Sequence, residues 1–220
     1  VLNMGGSAVA LVLSSLWPIS SAKMSRHDLA VACRGSARAL GAIGAGYLSG
    51  PGSSLPSLDT SGIEALLATT RAHVAAARGN AAEPAVDGSL KDTVDRVDKV
   101  ASIVSVLKLR VTESVSLSVD GTGGYTNAVH DVYISSLHGD ISDVIENLKE
   151  RLEHLAVCLA TDTAPLPISQ HPTEERAIER VKSGFSDLRE ARYCVPSPPP
   201  LLPMDDIVRF ASFIHLLNRL

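Results

Sequence analysis

The pattern of apolar and polar positions divides the chain into an uncharged first segment and a series of helices. Residues 1–22 contain no charged side chain, and their large apolar residues include Leu2, Val9, Leu11, Val12, Leu13, Leu16 and Trp17. A helix needs roughly 20 apolar residues to cross a bilayer. The pattern therefore predicts that residues 1–22 form a transmembrane helix at the end of a membrane domain.

The residues that follow this segment predict its orientation. Trp17 stands just before the first charge, where an interfacial aromatic residue is common. The next part of the chain has one acidic residue, Asp28, against the cations Lys23, Arg26, Arg34 and Arg38. Positive flanks lie on the cytoplasmic side of membrane proteins. We therefore expect an integral membrane protein in which the residues after Ala22 are cytoplasmic.

Two other interpretations of residues 1–22 stay open. Ser20-Ser21-Ala22 offers the small-x-small pattern of a secretory cleavage site. However, no basic region precedes the apolar run, and the positive charges follow it. The other alternative is a buried core helix.

The rest of the chain shows helical spacing almost throughout. Residues 23–48 predict a juxtamembrane amphipathic helix, in which Ser25 and Asp28 approximate a capping box. Residues 49–57, "SGPGSSLPS", predict a linker. Residues 58–193 predict a cytoplasmic helical domain with helices over 58–78, 89–111, 127–160 and 173–193. Residues 194–203 form a proline-rich spacer, and residues 204–220 a terminal helix. The predicted fold class is all-α: one apolar transmembrane helix, then an amphipathic helical bundle.

One stretch fits two structures. In residues 111–126, Val115, Leu117 and Val119 alternate with serines, as in a short strand. A frayed helix end followed by the glycine-rich loop 120–124 explains the same residues equally well.

Composition and motifs favour no enzyme class. The net charge of -4 argues against nucleic-acid binding, which needs a basic field. Cys33, Cys158 and Cys194 lie too far apart for a disulfide framework or a metal knuckle. Glu150, His154 and Cys158 share a helix face, but no second set of metal ligands accompanies them. "DGTGGY" lacks the lysine of a phosphate loop, and His130 with Asp131 or His138 matches no triad spacing. We expect no catalytic, cofactor-binding or metal-binding residue.

The order of features resembles a transporter family. "SLWPISSAKM" (15–24) and "RHDLAVACRGSARALGAIGAGYL" (26–48) resemble the exit from the last membrane helix in the fusaric-acid-resistance-like superfamily. This superfamily includes aromatic acid exporters and plant aluminium-activated malate transporters. Residues 62–111, with a Glu83-Pro84 loop, are similar to the cytoplasmic helices of these proteins, and "DDIVRFASFIHLLNRL" (205–220) to their final helix.

The resemblance implies a membrane transporter or channel for organic or aromatic acid anions. The chain would be a fragment carrying the cytoplasmic helical domain, which regulates gating or couples subunits. Its partners would be the lipid bilayer, other membrane helices of the same protein and, in a homo-oligomer, further copies. Lys23, Arg26 and Arg34 would attract anions at the membrane flank. The alternative is a soluble helical-bundle scaffold or interaction protein without a transport role.

Overall fold

The computed structural model describes residues 20–49, 60–84, 86–119, 133–163, 172–193 and 204–220. In these ranges the regular secondary structure is entirely helical, which confirms the all-α prediction for this part of the chain. The helices are α1 (Ser21–Leu48), α2 (Thr60–Ala81), α3 (Gly88–Val119), α4 (Ser135–Thr161), α5 (Pro172–Tyr193) and α6 (Met204–Leu217).

None of these six helices combines the length and the apolar character that crossing a membrane requires. Residues 1–19, most of the predicted transmembrane helix, lie outside the described residues. So do residues 50–57 of the predicted linker and the whole predicted spacer, 194–203. The prediction for the membrane segment therefore remains a prediction.

Helix α1 begins earlier than the sequence pattern suggested. Ser20 is its N-cap, in an extended conformation, and its hydroxyl accepts a hydrogen bond from the Lys23 amide at 3.2 Å. The predicted cap at Ser25 is wrong, because that residue lies inside the helix and is buried. The Ser25 hydroxyl instead donates to the Ala77 carbonyl of α2 at 3.0 Å. A buried hydroxyl needs a partner, and here the neighbouring helix supplies it.

Helix α3 continues into residues 111–126, the stretch for which the sequence allowed either a strand or a helix end. Residues 111–119 belong to the helix, which decides between the two alternatives in favour of a helix for them. Residues 120–126 lie outside the described part. Extending a formed helix costs far less than starting a strand, because each added residue gains one backbone hydrogen bond. The Thr112 hydroxyl also donates back to the Lys108 carbonyl at 2.9 Å, as in a regular helix.

The predicted apolar stripes of α3 and α4 face the core. The sequence pattern gives α3 a stripe of Leu90, Val94, Val97, Ala101, Val104, Lys108 and Val111. All of them are buried except Lys108, whose ammonium forms an ion pair with Glu64 of α2. The neighbouring Leu107, which the stripe omitted, is fully buried. Along α4 the buried stripe residues are Leu137, Ile141, Val144 and Leu148.

The first four helices form an up-and-down arrangement with α1 at its centre. Pairs of contacting residues show that α1 runs antiparallel to both neighbours. They are Ser25–Ala77 and Gly35–Thr70 for α2, and Gly41–Lys149 and Gly44–Ile145 for α4. Helix α3 packs against α1 and α2. Helix α5 packs on α4, and α6 packs on α3. Helix α1 is therefore in contact with three neighbours, the geometry of a bundle core helix.

This position makes α1 more buried than an ordinary amphipathic helix. Its predicted apolar face is buried, but so are small residues on other sides, including Ala30, Gly35, Ser36, Ala39 and Gly44. Such small residues let helix axes approach closely. Helix α1 is therefore enclosed by its neighbours except for one narrow face. Its predicted position next to a membrane stays a prediction.

Two glycines mark the closest approach of α1 to its neighbours. A Cβ atom added at Gly35 would overlap the Thr70 hydroxyl, and one at Gly44 would lie 2.6 Å from Ile145 Cδ1. Apolar core clusters lie towards both ends of the bundle, one containing Leu29 and Val94, the other containing Leu40. The small-residue contacts therefore allow both clusters to close around α1.

An aromatic cluster joins the later helices to this core. Tyr133, just before α4, lies 5.3 Å from Phe185 of α5 and 5.6 Å from Phe210 of α6, measured between ring centroids. Tyr47, near the end of α1, contacts Phe213 of α6 at a centroid distance of 4.0 Å. Aromatic pairs at such separations add stability beyond their buried area. They anchor α5 and α6 at one end of the bundle.

We predict that Gly35→Ala lowers the free energy of unfolding by about 1–3 kcal/mol, because the added methyl group overpacks the α1–α2 contact. Chemical denaturation followed by circular dichroism would measure it. Gly139→Ala is the matched control: Gly139 is a helical glycine with open space around it, so alanine should stabilise α4 by up to about 1 kcal/mol. Adding Thr70→Ala to Gly35→Ala should recover part of the loss. Equal effects at both glycines would contradict the close packing.

Candidate functional site

The three cations predicted to form an anion-attracting flank all lie on α1, but they do not form one cluster. Lys23 is in the first turn and exposed, and Arg34 is exposed about three turns further on, about 16 Å along the axis. Arg26 is partly buried and turns towards α4. The structure therefore places one cation in an ion pair and leaves two on the outer surface.

Arg26 forms its ion pair with Asp162, the residue that ends α4. Asp162 has a left-handed backbone with φ 57°, a conformation that aspartate tolerates better than most residues. This turn places the carboxylate beside the first turns of α1. Both side chains are partly exposed, so the pair contributes little to stability, but it neutralises the Arg26 charge locally.

A second carboxylate lies near Arg26. The pKa of Asp87 is lowered, first by the hydrogen bond from the Ser89 hydroxyl, then by the Ser89 amide, with a smaller contribution from the Arg26 charge. Asp87 therefore stays ionised close to Arg26. The bundle end that follows residues 1–22 thus has mixed charge around Arg26.

A polar cluster that the sequence did not predict lies between α1 and α2. One carboxylate oxygen of Asp28 lies 3.0 Å from His73 Nδ1, and the other accepts a hydrogen bond from the Asn80 amide at 3.3 Å. Asp28 is largely shielded from solvent, and His73 is about one-third exposed. The carboxylate therefore orients the imidazole ring and joins the start of α1 to the end of α2.

The chemistry of this cluster is that of a polar clamp. A carboxylate on one imidazole nitrogen fixes the ring orientation, as it does beside many functional histidines. Together with the Ser25 hydroxyl on the Ala77 carbonyl, it holds the first two turns of α1 against α2. One sequence signal points to it: Asp28 is the single acidic residue between residues 20 and 49.

The Glu150, His154 and Cys158 set is dispersed between solvent and core. Glu150 and His154 are exposed, whereas Cys158 is buried. The Cys158 sulfur lies 3.8 Å from either ring nitrogen of His154. Across the described ranges, no group of three or more histidine, cysteine, aspartate or glutamate side chains could hold a metal ion.

The other candidate residues also lie apart. Cys33 is fully buried, and burial raises the pKa of its thiol to about 12, although the nearby Arg34 charge opposes that rise. Its thiolate population at neutral pH is therefore negligible, and the residue acts as a small core side chain. His138 is exposed on α4, while His130, Asp131 and Cys194 lie outside the described residues.

Comparisons of this chain with known protein families, with curated proteins and with solved structures found no match. The resemblance to the fusaric-acid-resistance-like superfamily therefore stays a prediction from the sequence. The polar groups that the structure brings together on α1 are the clamp at Asp28 and the cations on either side of it.

We predict that Asp28→Ala lowers the free energy of unfolding by about 1–3 kcal/mol, because it leaves the partly buried His73 and Asn80 groups without their acceptor. Thermal or urea unfolding would measure the loss. Asp162→Ala removes the other α1 ion pair at an exposed site and should cost less than about 1 kcal/mol. The clamp would be refuted by an Asp28→Ala variant as stable as the unaltered protein.

Proposed function

We propose that this chain is part of a membrane transporter or channel for organic or aromatic acid anions. Helices α1–α6 would form its cytoplasmic helical domain, with a role in gating or assembly. One observation carries the proposal: residues 1–22 are uncharged and strongly apolar, and they run directly into α1. Helix α1 begins at Ser21, so its first two residues are the last two residues of that segment.

The position of α1 supports a coupling role for the bundle. Since α1 packs against α2, α3 and α4, a displacement at its first turn acts on all three neighbours. The contacts of Ser25 with Ala77 and of Asp28 with His73 lie in the first two turns, close to the apolar segment. Rigid, packed elements of this kind transmit small shifts as whole-body movements.

The arrangement of cations supports an electrostatic role for two of the three predicted residues. Lys23 and Arg34 are exposed, so their charges act on ions in solution. Arg26 is already held by Asp162. A positive surface near a pore raises the local concentration of anions, and salt screens that effect over about 10 Å.

A soluble helical scaffold or interaction protein is the second candidate. It is favoured by the extensive burial of α1, whose core packing involves several helices. In that case residues 1–22 would be one more core helix. The two candidates differ in whether the chain stays with the membrane.

The decisive experiment is membrane fractionation of the expressed chain. We expect it to remain in the membrane pellet after alkaline carbonate washing, because an apolar span of roughly 20 residues inserts stably. Leu11→Asp with Leu13→Asp should release it, since charges at the centre of a span are costly. A chain that enters the carbonate supernatant without these substitutions would defeat the transporter proposal and favour the scaffold.

The anion-attracting role generates a second prediction. In the protein that contains this chain, Lys23→Gln with Arg34→Gln should reduce organic-anion flux at low salt by about 2- to 10-fold, with a weaker salt dependence. Arg26→Gln should change flux much less, because Asp162 already neutralises that charge. Lys99→Gln, on the exposed face of α3, is the control. Unchanged flux and salt dependence in the Lys23 and Arg34 variant would remove this role.

A further inference from the structure

The exposed face of α1 has basic residues along its middle and small residues near its C-terminal end. Arg34, Arg38, Ala42 and Ala45 are exposed, and their spacing of four, four and three residues places them on one side of the helix. The one acidic residue of α1, Asp28, is held by His73 and Asn80 of α2. This face of α1, termed the basic strip, therefore carries positive charge only.

The exposed face of α4 has the opposite charge. The exposed residues of this face, given below, are four, three, four and three positions apart, so they lie on one side of the helix. The exposed residues on that side, termed the acidic strip, are Glu146, Glu150, Glu153, Val157 and Ala160. The Lys149 ammonium pairs with Glu146, which leaves Glu150 and Glu153 as the acidic centre of the strip.

The two strips run side by side. Helices α1 and α4 are antiparallel neighbours, and the aliphatic part of Lys149 crosses over Gly41. The pairs Gly41–Lys149 and Gly44–Ile145 set the relative level of the helices. At that level, Glu150 and Glu153 lie within about one turn of Arg38 along the bundle axis. The basic and acidic centres are therefore at the same height on adjacent helices.

These charges are available for a partner. In the described part of the chain, no ion pair involves Arg34, Arg38, Glu150 or Glu153. One of the large exposed apolar side chains belongs to the acidic strip itself: Val157 of α4 is 52% exposed. Apolar groups beside matched charges are typical of protein–protein interfaces.

We propose that the basic strip and the acidic strip together form the interface of a homodimer. A two-fold axis that is parallel to the helices and passes between the two copies places α1 of one copy opposite α4 of the other. The two helices then lie at the same height along the axis. Arg34 and Arg38 then face Glu150 and Glu153 of the second copy, and the same pairs form again on the other side of the axis. This reciprocity is what an isologous interface requires.

A second copy explains the pattern better than a polyanion does. An anionic lipid surface or a nucleic acid would meet Glu150 and Glu153 beside the arginines and be repelled by them. The net charge of -4 adds to that repulsion. A partner with basic and acidic strips in the same arrangement matches both, and a copy of this chain has them.

The inference specifies the assembly role within the proposed function and rests on it in that respect only. In the dimer Arg34 faces acidic residues of the second copy, so the anion-attracting role of the flank then falls to Lys23, which lies outside the basic strip. Its test measures oligomeric state, whereas the membrane proposal is tested by carbonate extraction. A chain that dimerises but is extracted by carbonate would overturn the transporter proposal alone. A membrane-bound monomer would overturn the dimer alone.

The test uses two variants of the 220-residue chain that should each repel themselves. Arg34→Glu with Arg38→Glu makes both strips acidic, and Glu150→Arg with Glu153→Arg makes both strips basic. Each should raise the dimer Kd at least about 10-fold, because like charges then face each other. An equimolar mixture should form a heterodimer, since opposite strips meet on both sides of the axis. Sedimentation equilibrium in mild detergent measures all three.

Control variants separate charge pairing from general effects. Arg96→Glu with Lys99→Glu changes the same number of charges on the exposed face of α3 and should leave the dimer intact. Circular dichroism checks folding, and the single substitutions Arg38→Glu and Glu150→Arg replace any double variant that fails to fold. Three outcomes would each overturn the proposal. The unaltered chain is monomeric, either double variant still dimerises alone, or the mixture forms no heterodimer. A chain that is monomeric and binds anionic vesicles, with binding lost in Arg34→Glu with Arg38→Glu, would assign the basic strip to lipid instead.

Discussion

The close approach of α1 to α2 and α4 is the constraint on which the rest of the bundle depends. Gly35 meets Thr70 on one side, and Gly44 meets Ile145 on the other. Because α1 lies this deep, the larger side chains of both core clusters can close around it. Protein interiors are close-packed, so a larger residue at either contact separates the helices and loosens the core beyond the site of substitution.

The depth of α1 also decides what its charges do. Enclosure by three helices leaves one narrow outer face, so the charged residues of α1 have different surroundings. Arg26 turns to Asp162 at the end of α4, Asp28 turns to His73 on α2, and Arg34 stays on the surface. The electrostatic character of the segment that follows residues 1–22 is therefore set by the helices around it as much as by its own composition.

The sequence predicted the helical elements well where apolar spacing is regular. The stripes of α3 and α4 face the core because a 3.6-residue period places them on one side whatever the partner is. The one wrong cap and the one open alternative both lie where two local patterns compete. Ser25 fits a cap, but Ser20 comes first and Ser25 instead meets the Ala77 carbonyl. Residues 111–119 alternate like a strand, yet they extend a helix that is already formed.

The candidate site shows the limit of sequence reasoning most clearly. By itself, the sequence determined the helical class, the apolar stripes, the charge-free residues 1–22 and the basic character of α1, since each follows from residue type and local spacing. Only the tertiary structure decided that α1 is central, that Arg26 is paired and that Asp28 belongs to a clamp with His73. Those contacts join residues distant in the chain. They exist because Gly35 and Gly44 have no side chain, so the helices approach within reach of each other's polar groups.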